Sequence, residues 1–237
     1  MILTAHQPVY LPWLGLFHKI TLAESYCYYD DVQYQVFDFN NRNKIKGPNG
    51  SFWLTVPVKT KNHFQTKLRD AVIVDDAHWR RKHWKSLLNC YRRAPYFPRY
   101  ADFFEDVYKR DWRYLSELNE HFLKFFLEVL GIRVAYYKMS DLDIQGRKSD
   151  LLLDMCLKLG ASTFVFGALG RNYADISKFA ARGVRVCFQD YHHPQYPQLY
   201  GGFEPNLSIV DLLFNCGPAS KEVLMSGNLT REQVIVR

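Results

Sequence analysis

The length and composition of the chain indicate a globular protein of one sizeable α/β domain or two small ones. It has 237 residues, of which 48% are hydrophobic and 23% are charged, as is ordinary for a globular protein. The net charge of +7 weakly favours an anionic partner such as a phosphate, a nucleotide sugar or nucleic acid. Five scattered cysteines without a CxxC pair indicate reduced thiols rather than a disulfide scaffold.

Membrane and export signals are missing from the sequence. No apolar run approaches the roughly 20 residues that span a bilayer. The N-terminus also lacks the basic and apolar regions of a signal peptide. The sequence therefore predicts a cytoplasmic protein with no membrane insertion.

Residues 1–34 predict a βαβ unit. Residues 1–7 (MILTAHQ) are apolar enough for a buried strand, and the two prolines of residues 8–13 (PVYLPW) exclude regular structure there. Apolar positions from Leu14 to about Ser25 have helical spacing. Residues 26–34 (YCYYDDVQY) are rich in β-forming aromatic residues. A strand, a helix and a strand of this length imply a right-handed crossover and a parallel pair.

A hairpin and a helical segment are predicted to follow. Turn residues from Gly47 to Gly50 separate two β-like runs within residues 39–59. Residues 75–131 show apolar and aromatic positions at helical spacing, interrupted at Pro95 and Pro98 and closed by Gly131 as a C-cap. This segment is predicted to be a helical insertion.

Strands and helices alternate through the rest of the chain. This alternation predicts an α/β fold with a mainly parallel sheet flanked by helices. We expect a single α/β domain over residues 1–237, with the helical insertion at about residues 75–131. Further strands are predicted within residues 132–142, 162–167 and 184–191, and further helices within residues 148–161, 171–183 and 207–217, the last of which is the final helix.

Two loops that follow predicted strands are unusually polar and aromatic. His6 and Gln7 end the first strand, and residues 192–198 (HHPQYPQ) follow the last strand. Ligands of open parallel sheets bind outside the carboxyl ends of the strands, which favours a site here. A buried histidine that holds its loop through backbone hydrogen bonds is the alternative for His6. Adjacent histidines on a proline-rich loop lack metal-ligand spacing, so no metal site is predicted.

Three further segments carry candidate binding groups. Residues 40–46 (NNRNKIK) offer Arg42 as a bidentate fork and Lys44 or Lys46 as point charges for an anion, with a solvated loop as the alternative. Residues 166–173 (FGALGRNY) form a glycine-containing turn that could admit an anion to a helix N-terminus. Residues 78–93 interleave basic and aromatic residues. That pattern suits nucleic-acid binding, but an amphipathic helix is favoured.

Ordered blocks of the sequence resemble the WbqC-like family, which is found mainly among bacterial gene clusters for surface polysaccharides and O-antigen. The similarity extends over nearly the whole chain. It departs from the family pattern at Phe166 and Gly167, where a Ser-Gly pair is expected. The resemblance implies transfer of glycine or another aminoacyl group to a sugar. The blocks are HQPVYLPWLGLFHKI (6–20), DDVQY (30–34), NRNKIK (41–46), WLTVPV (53–58), LGI (130–132), YHHPQYPQ (191–198) and LSIVDLLFN (207–215).

The implied reaction assigns catalytic roles to four residues. We expect an acyl or aminoacyl transferase that modifies an amino sugar on a nucleotide-activated precursor. Amide formation needs a deprotonated amine and a stabilised oxyanion. His6 is the predicted base, since an imidazole titrates near neutral pH, and Gln7 and Asn43 are the predicted oxyanion donors. Asp31 is the fourth predicted catalytic residue.

The predicted partner is a nucleotide sugar or another phosphorylated small molecule, and no cofactor is identified. Arg42 and Lys44 are expected to hold a diphosphate. Tyr10, Trp13 and Tyr196 are expected to stack on the base or the sugar. The other predicted substrate contacts are Lys19, Asn41, Trp53, Tyr173, Gln189, Tyr191, His193 and Gln198.

Two other classes of protein fit the same residues. The first βαβ unit and residues 40–46 suit an ATP-dependent ligase or a nucleotidyltransferase, although the H-x-G-H spacing of such enzymes is absent. A non-enzymatic accessory or tRNA-binding protein is the other alternative. An accessory protein would bind partners of the pathway through residues 78–93. If the acyl group arrives on glycyl-tRNA, the same residues would track its phosphates.

Overall fold

The structure, a computed structural model, describes residues 1–59, 65–74 and 76–236. Asp75, the predicted start of the helical insertion, and Arg237, the predicted end of the domain, lie outside these ranges. The strands are β1 (Ile2–His6), β2 (Ser25–Tyr28), β3 (Arg42–Gly47), β4 (Gly50–Thr55), β5 (Ala135–Lys138), β6 (Thr163–Phe166) and β7 (Arg185–Phe188). The helices are α1 (Leu14–Thr21), α2 (Ala77–Tyr91), α3 (Phe97–Lys109), α4 (Leu115–Val129), α5 (Ser149–Leu159), α6 (Ile176–Ala181), α7 (Ile209–Cys216), α8 (Ser220–Met225) and α9 (Arg231–Val236).

The central sheet has the strand order β5-β2-β1-β6-β7, and every neighbouring pair is parallel. It follows the order of doubly wound nucleotide-binding sheets. The order changes direction between β1 and β6, because the chain passes from β1 to β2 on one side and from β6 to β7 on the other. The loops after β1 and β6 therefore diverge and leave a crevice at the carboxyl ends of these strands.

Helices cover both faces of the sheet, as right-handed crossovers require. On one face, Phe17 of α1 belongs to the same apolar cluster as Tyr26 of β2 and Phe126 of α4. On the other face, Met155 of α5 and Phe179 of α6 form a separate cluster. Strands β2 and β6 are buried along their whole length. The predicted α/β class, with a mainly parallel sheet flanked by helices, is confirmed.

The helical insertion consists of α2, α3 and α4, which pack with α7 and the antiparallel β3–β4 hairpin instead of extending the sheet. Asp76 begins α2 by accepting a hydrogen bond from His78 N at 2.7 Å, a usual N-cap interaction. Pro95 lies between α2 and α3, and Pro98 lies in the first turn of α3, where no backbone donor is needed. The interruption predicted at Pro95 is confirmed, whereas the one predicted at Pro98 is wrong, since Pro98 lies inside α3.

Two predicted elements differ in extent from the structure. β2 ends at Tyr28 rather than at Tyr34, because the Asp30 carboxylate turns to accept hydrogen bonds from Ser140 N and Oγ at 2.9 and 2.8 Å. Helix α7 is not the final helix, since α8 and α9 follow it and bury Leu224 and Val234. None of the helices in the described ranges is long and apolar enough to cross a membrane.

A buried carboxylate ties the insertion to the hairpin and to the loop after β7. Asp211 of α7 is fully buried, and it accepts hydrogen bonds from the hydroxyls of Tyr91 and Tyr196 at 2.8 and 2.9 Å. The Tyr91 hydroxyl also accepts a bond from Lys46 N at 2.9 Å. Burial raises the pKa of Asp211, and the two tyrosine hydroxyls partly oppose that effect. The network holds α2, α7, β3 and the Tyr196 loop together.

Replacing Tyr196 with phenylalanine is expected to lower the free energy of unfolding by about 1.5–3 kcal/mol, the range for a lost hydrogen bond to a charged group. The change leaves Asp211 Oδ2 buried without its donor and keeps the aromatic ring. Tyr114→Phe is the matched control, because its hydroxyl makes no hydrogen bond within the described residues. Urea denaturation of both variants measures the difference, and equal stabilities would contradict the prediction.

Candidate functional site

A cavity of about 960 Å³ opens where the strand order changes direction, at the carboxyl ends of β1 and β6. Ligands of doubly wound sheets bind at this place, and the volume suits a small molecule. A groove of about 550 Å³ follows the edge strand β7, but its Arg171 and Asp190 pair with each other. The cavity is lined by Ala5, His6, Gln7, Val9, Trp13, Gly15, Leu16, Lys19, Tyr29, Val32, Asp38, Phe39, Asn40, Lys148, Leu152, Phe164, Val165, Phe166, Gly167, Ala168, Leu169, Gly170, Tyr173, Gln189, Tyr191 and Asn206.

His6 ends β1 and faces the cavity with a neutral imidazole. Its Nδ1 lies 2.9 Å from the Gln7 carbonyl oxygen. Because a carbonyl only accepts, Nδ1 carries the proton and Nε2 keeps its lone pair. Burial, together with the positive charge of Lys19, lowers the pKa of His6 to about 3. The Trp13 ring contacts the imidazole edge-on, with centroids 5.2 Å apart. His6 is therefore a hydrogen-bond acceptor at neutral pH.

Lys19 reaches the cavity floor from the last turn of α1. Its side chain is 5% exposed, and its Nζ donates to the Ala5 carbonyl oxygen at 2.9 Å. No ion pair between Lys19 and a carboxylate is formed by the described residues. Burial lowers the pKa of Lys19 to about 7. Loss of hydration disfavours the ammonium form, so charged and neutral Lys19 coexist near neutral pH.

The loop after β7 closes the cavity beside α1. Gln189 Nε2 donates to the Gly15 carbonyl oxygen at 2.8 Å and contacts His18 Nδ1 at 2.6 Å. His18 Nε2 in turn lies 2.9 Å from the Leu229 carbonyl oxygen, so it carries the proton and Nδ1 accepts from Gln189. The Tyr191 hydroxyl is buried without a hydrogen-bond partner in the described part of the chain, and burial raises its pKa. A bound ligand or a water molecule can supply the missing hydrogen-bond partner of this hydroxyl.

Aromatic rings connect the cavity with the hairpin at its mouth. Trp13 and Phe39 line the cavity and lie 6.0 Å apart between centroids, and Phe39 lies 5.7 Å from Trp53 of β4. The Arg42 guanidinium lies 4.4 Å from the Trp53 ring and the Lys44 Nζ 5.1 Å from it. The hairpin therefore presents two cations on an aromatic side chain near the entrance, outside the cavity itself.

The structure brings part of the predicted site together. One cavity is lined by residues of α1 and of the loops after β1, β6 and β7. These residues lie far apart in the sequence. This convergence follows from the shared position of strand ends in a parallel sheet. The predicted site residues that line the cavity are His6, Gln7, Trp13, Lys19, Tyr173, Gln189 and Tyr191.

Two predicted catalytic residues lie outside the lining. Asp31 forms ion pairs with Lys67 and Arg69 at 2.8 and 2.9 Å, which anchor the segment after β2. Asn43 is fully buried, and its Nδ2 donates to the Leu11 carbonyl oxygen at 2.7 Å. This bond holds Leu11, whose φ of 43° is strained for a branched side chain. The Asn43 donor predicted for an oxyanion is thus engaged by the backbone.

The other predicted substrate contacts also have partners within the fold. The Tyr10 hydroxyl is buried between His83 and Tyr108, at 2.8 and 2.5 Å. Tyr196 is bound to Asp211, as described above. Four more predicted substrate-binding side chains outside the cavity lining form hydrogen bonds within the protein, namely Asn41 with Val56, Gln198 with Glu204, His193 with Pro194 and Arg42 with Phe37. The Lys44 amine lies over the Trp53 ring.

Helix α2 has the amphipathic form favoured by the sequence. Trp79, His83 and Leu87 are buried on its inner side, and Arg80 pairs with Asp111. The remaining basic residues of this helix do not line the cavity. A nucleic-acid role for α2 stays a prediction.

Sequence reasoning missed several lining residues. Lys148, at the start of α5, and Asn206 have φ values of 51° and 61°, and nothing in the sequence marks these positions as part of the cavity. For the turn from Gly167 to Gly170, the glycines were the only feature of the sequence that indicated a binding site, and this indication was weak. A Cβ at Gly170 would lie 2.6 Å from the Phe166 side chain, so this wall requires glycine there.

The unusual state of Lys19 predicts a dependence of stability on pH. The folded pKa of about 7 lies below the ordinary value of 10.5, so between these values the unfolded chain binds the extra proton and stability rises with pH. Relative to Lys19→Met, the unaltered protein is expected to gain roughly 1.4 kcal/mol per pH unit between about pH 7 and pH 10. Denaturation at several pH values measures this slope, with Lys221→Met as the control for losing a lysine bonded to a surface carbonyl. The prediction would be contradicted if the free energy of unfolding changed with pH equally in the unaltered protein and in Lys19→Met.

Comparison with known proteins places the chain in a family. Residues 7–223 match the WbqC-like protein family. The chain is 36% identical over 220 residues to "Uncharacterized protein Rv1507c" of Mycobacterium tuberculosis (strain ATCC 25618 / H37Rv), covering 92% of this chain and 95% of that protein. No solved structure matches the chain. Because the family model matches most of its length, the chain belongs to the WbqC-like protein family.

Proposed function

We propose that the protein transfers an acyl or aminoacyl group, such as glycyl, to the amino group of a nucleotide-activated sugar in surface-polysaccharide biosynthesis. The observation that carries this proposal is that His6 and Lys19 line the same cavity, and that burial lowers the pKa of both nitrogen bases. Transfer to an amine requires groups that hold and deprotonate that amine. The kind of acceptor is supported by the family to which the chain belongs.

The cavity offers groups for each part of the reaction. His6 Nε2 can accept a hydrogen bond from the acceptor amine. The Gln7 side chain lines the same space, and its Nε2 makes no bond within the described ranges, so it is available to the oxyanion. Of the two oxyanion donors predicted from sequence, Gln7 is the one that the geometry favours.

The cavity walls suit a sugar nucleotide. Trp13, Phe39, Tyr173 and Tyr191 provide aromatic surface on which a base or a sugar ring packs. Lys148 lines the same cavity, and Arg42 and Lys44 lie outside its mouth on the hairpin. In this proposal, these cations neutralise the phosphates, as cations in other anion sites do.

An ATP-dependent ligase or nucleotidyltransferase is a second candidate, favoured by one observation. The strand order of the sheet and the position of the cavity are those of nucleotide-binding folds. Such an enzyme would need ATP and Mg²⁺ and would release pyrophosphate or ADP when an amino acid and the amino sugar are present. Release of either product, without transfer from a preactivated donor, would favour this class.

Replacing His6 with glutamine tests the proposed site. Purified protein is incubated with a nucleotide-linked 4-amino sugar and with glycyl thioester or glycyl-tRNA, and the mass of the sugar is followed. We expect kcat/KM to fall by about 100-fold or more, as is typical when a group that assists proton transfer is removed. His78→Gln is the control, because His78 is an exposed histidine on α2.

Two outcomes would contradict the proposal. The unaltered protein could leave every amino sugar unmodified with both kinds of donor, which would remove acyl transfer as its activity. Alternatively, His6→Gln could transfer as fast as His78→Gln, which would place the reaction outside this cavity. Binding of the sugar nucleotide without turnover would indicate an accessory protein instead.

A further inference from the structure

Lys19 is deeply buried, and no residue within the described ranges gives it a charged partner. Lys19 lines the cavity, and its amine has a single hydrogen-bond acceptor among the described residues, the Ala5 carbonyl oxygen. An ammonium group carries three donors, and burying it without a counter-ion is strongly unfavourable. The fold thus favours an uncharged primary amine at the cavity floor.

We infer that Lys19 Nζ, rather than His6 Nε2, accepts the proton that the attacking amine loses in the proposed acyl transfer. This inference rests on the proposed function and assigns the base of the same site. His6 then has a different part, because its unprotonated Nε2 accepts a hydrogen bond from the acceptor amine and orients it.

The basicity of the two nitrogens distinguishes their roles. The pKa of His6 is lowered to about 3, so its imidazole is too weak a base to keep a proton taken from an ammonium-like nitrogen. The pKa of Lys19 is lowered to about 7. A base is most effective when its pKa lies near the operating pH, and Lys19 fulfils this condition.

Atoms and charges balance in the step. The amine nitrogen of the sugar attacks the carbonyl carbon of the acyl donor, forming a C–N bond. The bond between that carbon and the leaving group breaks. Lys19 Nζ takes one proton from the nitrogen and returns it to the leaving group or to water, so the amine is regenerated. No oxidant or reductant takes part.

His18, the titratable neighbour of Lys19 on α1, is already engaged by the protein. Both of its ring nitrogens are in hydrogen bonds, and its pKa is lowered mainly by burial. The loop after β7 brings the uncharged Gln189, and β6 contributes apolar side chains. The other titratable or charged residues lining the cavity are His6, Tyr29, Asp38, Lys148, Tyr173 and Tyr191.

The first experiment measures the protonation of Lys19 without any reaction. Carbon–nitrogen correlation NMR of labelled lysine side chains is recorded across a pH series, and Lys19→Met identifies the Lys19 signal. We expect that signal to titrate near the folded pKa of about 7. A midpoint close to the ordinary lysine value of 10.5 would overturn the inference.

The second experiment follows acyl transfer as a function of pH. In the unaltered protein, kcat is expected to rise with pH through a midpoint near 7. Lys19→Met should remove this rising limb of the pH profile and lower kcat by about 100-fold or more. Its affinity for the sugar nucleotide should stay within about threefold of that of the unaltered protein. His6→Gln should be slower but keep the limb. Lys221→Met controls for the loss of a surface amine.

The outcomes separate this inference from the proposed function. No transfer by the unaltered protein overturns the proposed function and the role of Lys19 with it. Transfer by the unaltered protein, with the same pH limb in Lys19→Met, overturns only the assignment of Lys19. Cooperative unfolding of Lys19→Met and its binding of the sugar nucleotide show that the variant is folded, so that a low kcat is attributable to the missing amine.

Discussion

The reversal of strand order between β1 and β6 is the constraint on which the rest of the structure depends. From β1 the chain passes to α1 on one face, and from β6 it passes to α6 on the other. The loops that leave the two strand ends then diverge, so the cavity arises there from topology. The segment between β2 and β3, the start of α5 and the loop after β7 line that opening.

Two buried ionisable groups, Asp211 and Lys19, differ in how the fold satisfies them. Asp211 has a hydroxyl donor for each of its oxygens, and its network joins elements distant in sequence. Lys19 has one carbonyl oxygen and no counter-ion in the described residues. A buried ionisable group whose hydrogen bonds are all formed strengthens a fold. A buried ionisable group without enough partners lowers stability and is retained most often where a ligand binds. The same desolvation raises the pKa of Asp211 and lowers that of Lys19.

The two histidine loops illustrate the limit of reading a site from sequence. His6 ends β1 and His193 lies in the loop after β7, and each places Nδ1 at 2.9 Å from the carbonyl oxygen of the next residue. His6 lines the cavity and His193 does not. The local sequences resemble each other, and the difference arises because β1 lies at the point of reversal while β7 lies at the edge of the sheet.

The sequence by itself determined the α/β class, the parallel βαβ opening, the hairpin turn and the helical insertion, because apolar periodicity, glycine and proline act locally. It also marked His6, Gln7, Trp13 and Lys19 as a polar and aromatic group after the first strand. Only the tertiary structure decided that Asn43 and Tyr196 serve the fold, that Lys148 lines the cavity, and that Lys19 has no counter-ion in the part of the chain that the structure describes. Those properties depend on which distant side chains share a space and exclude water, and no local pattern encodes that.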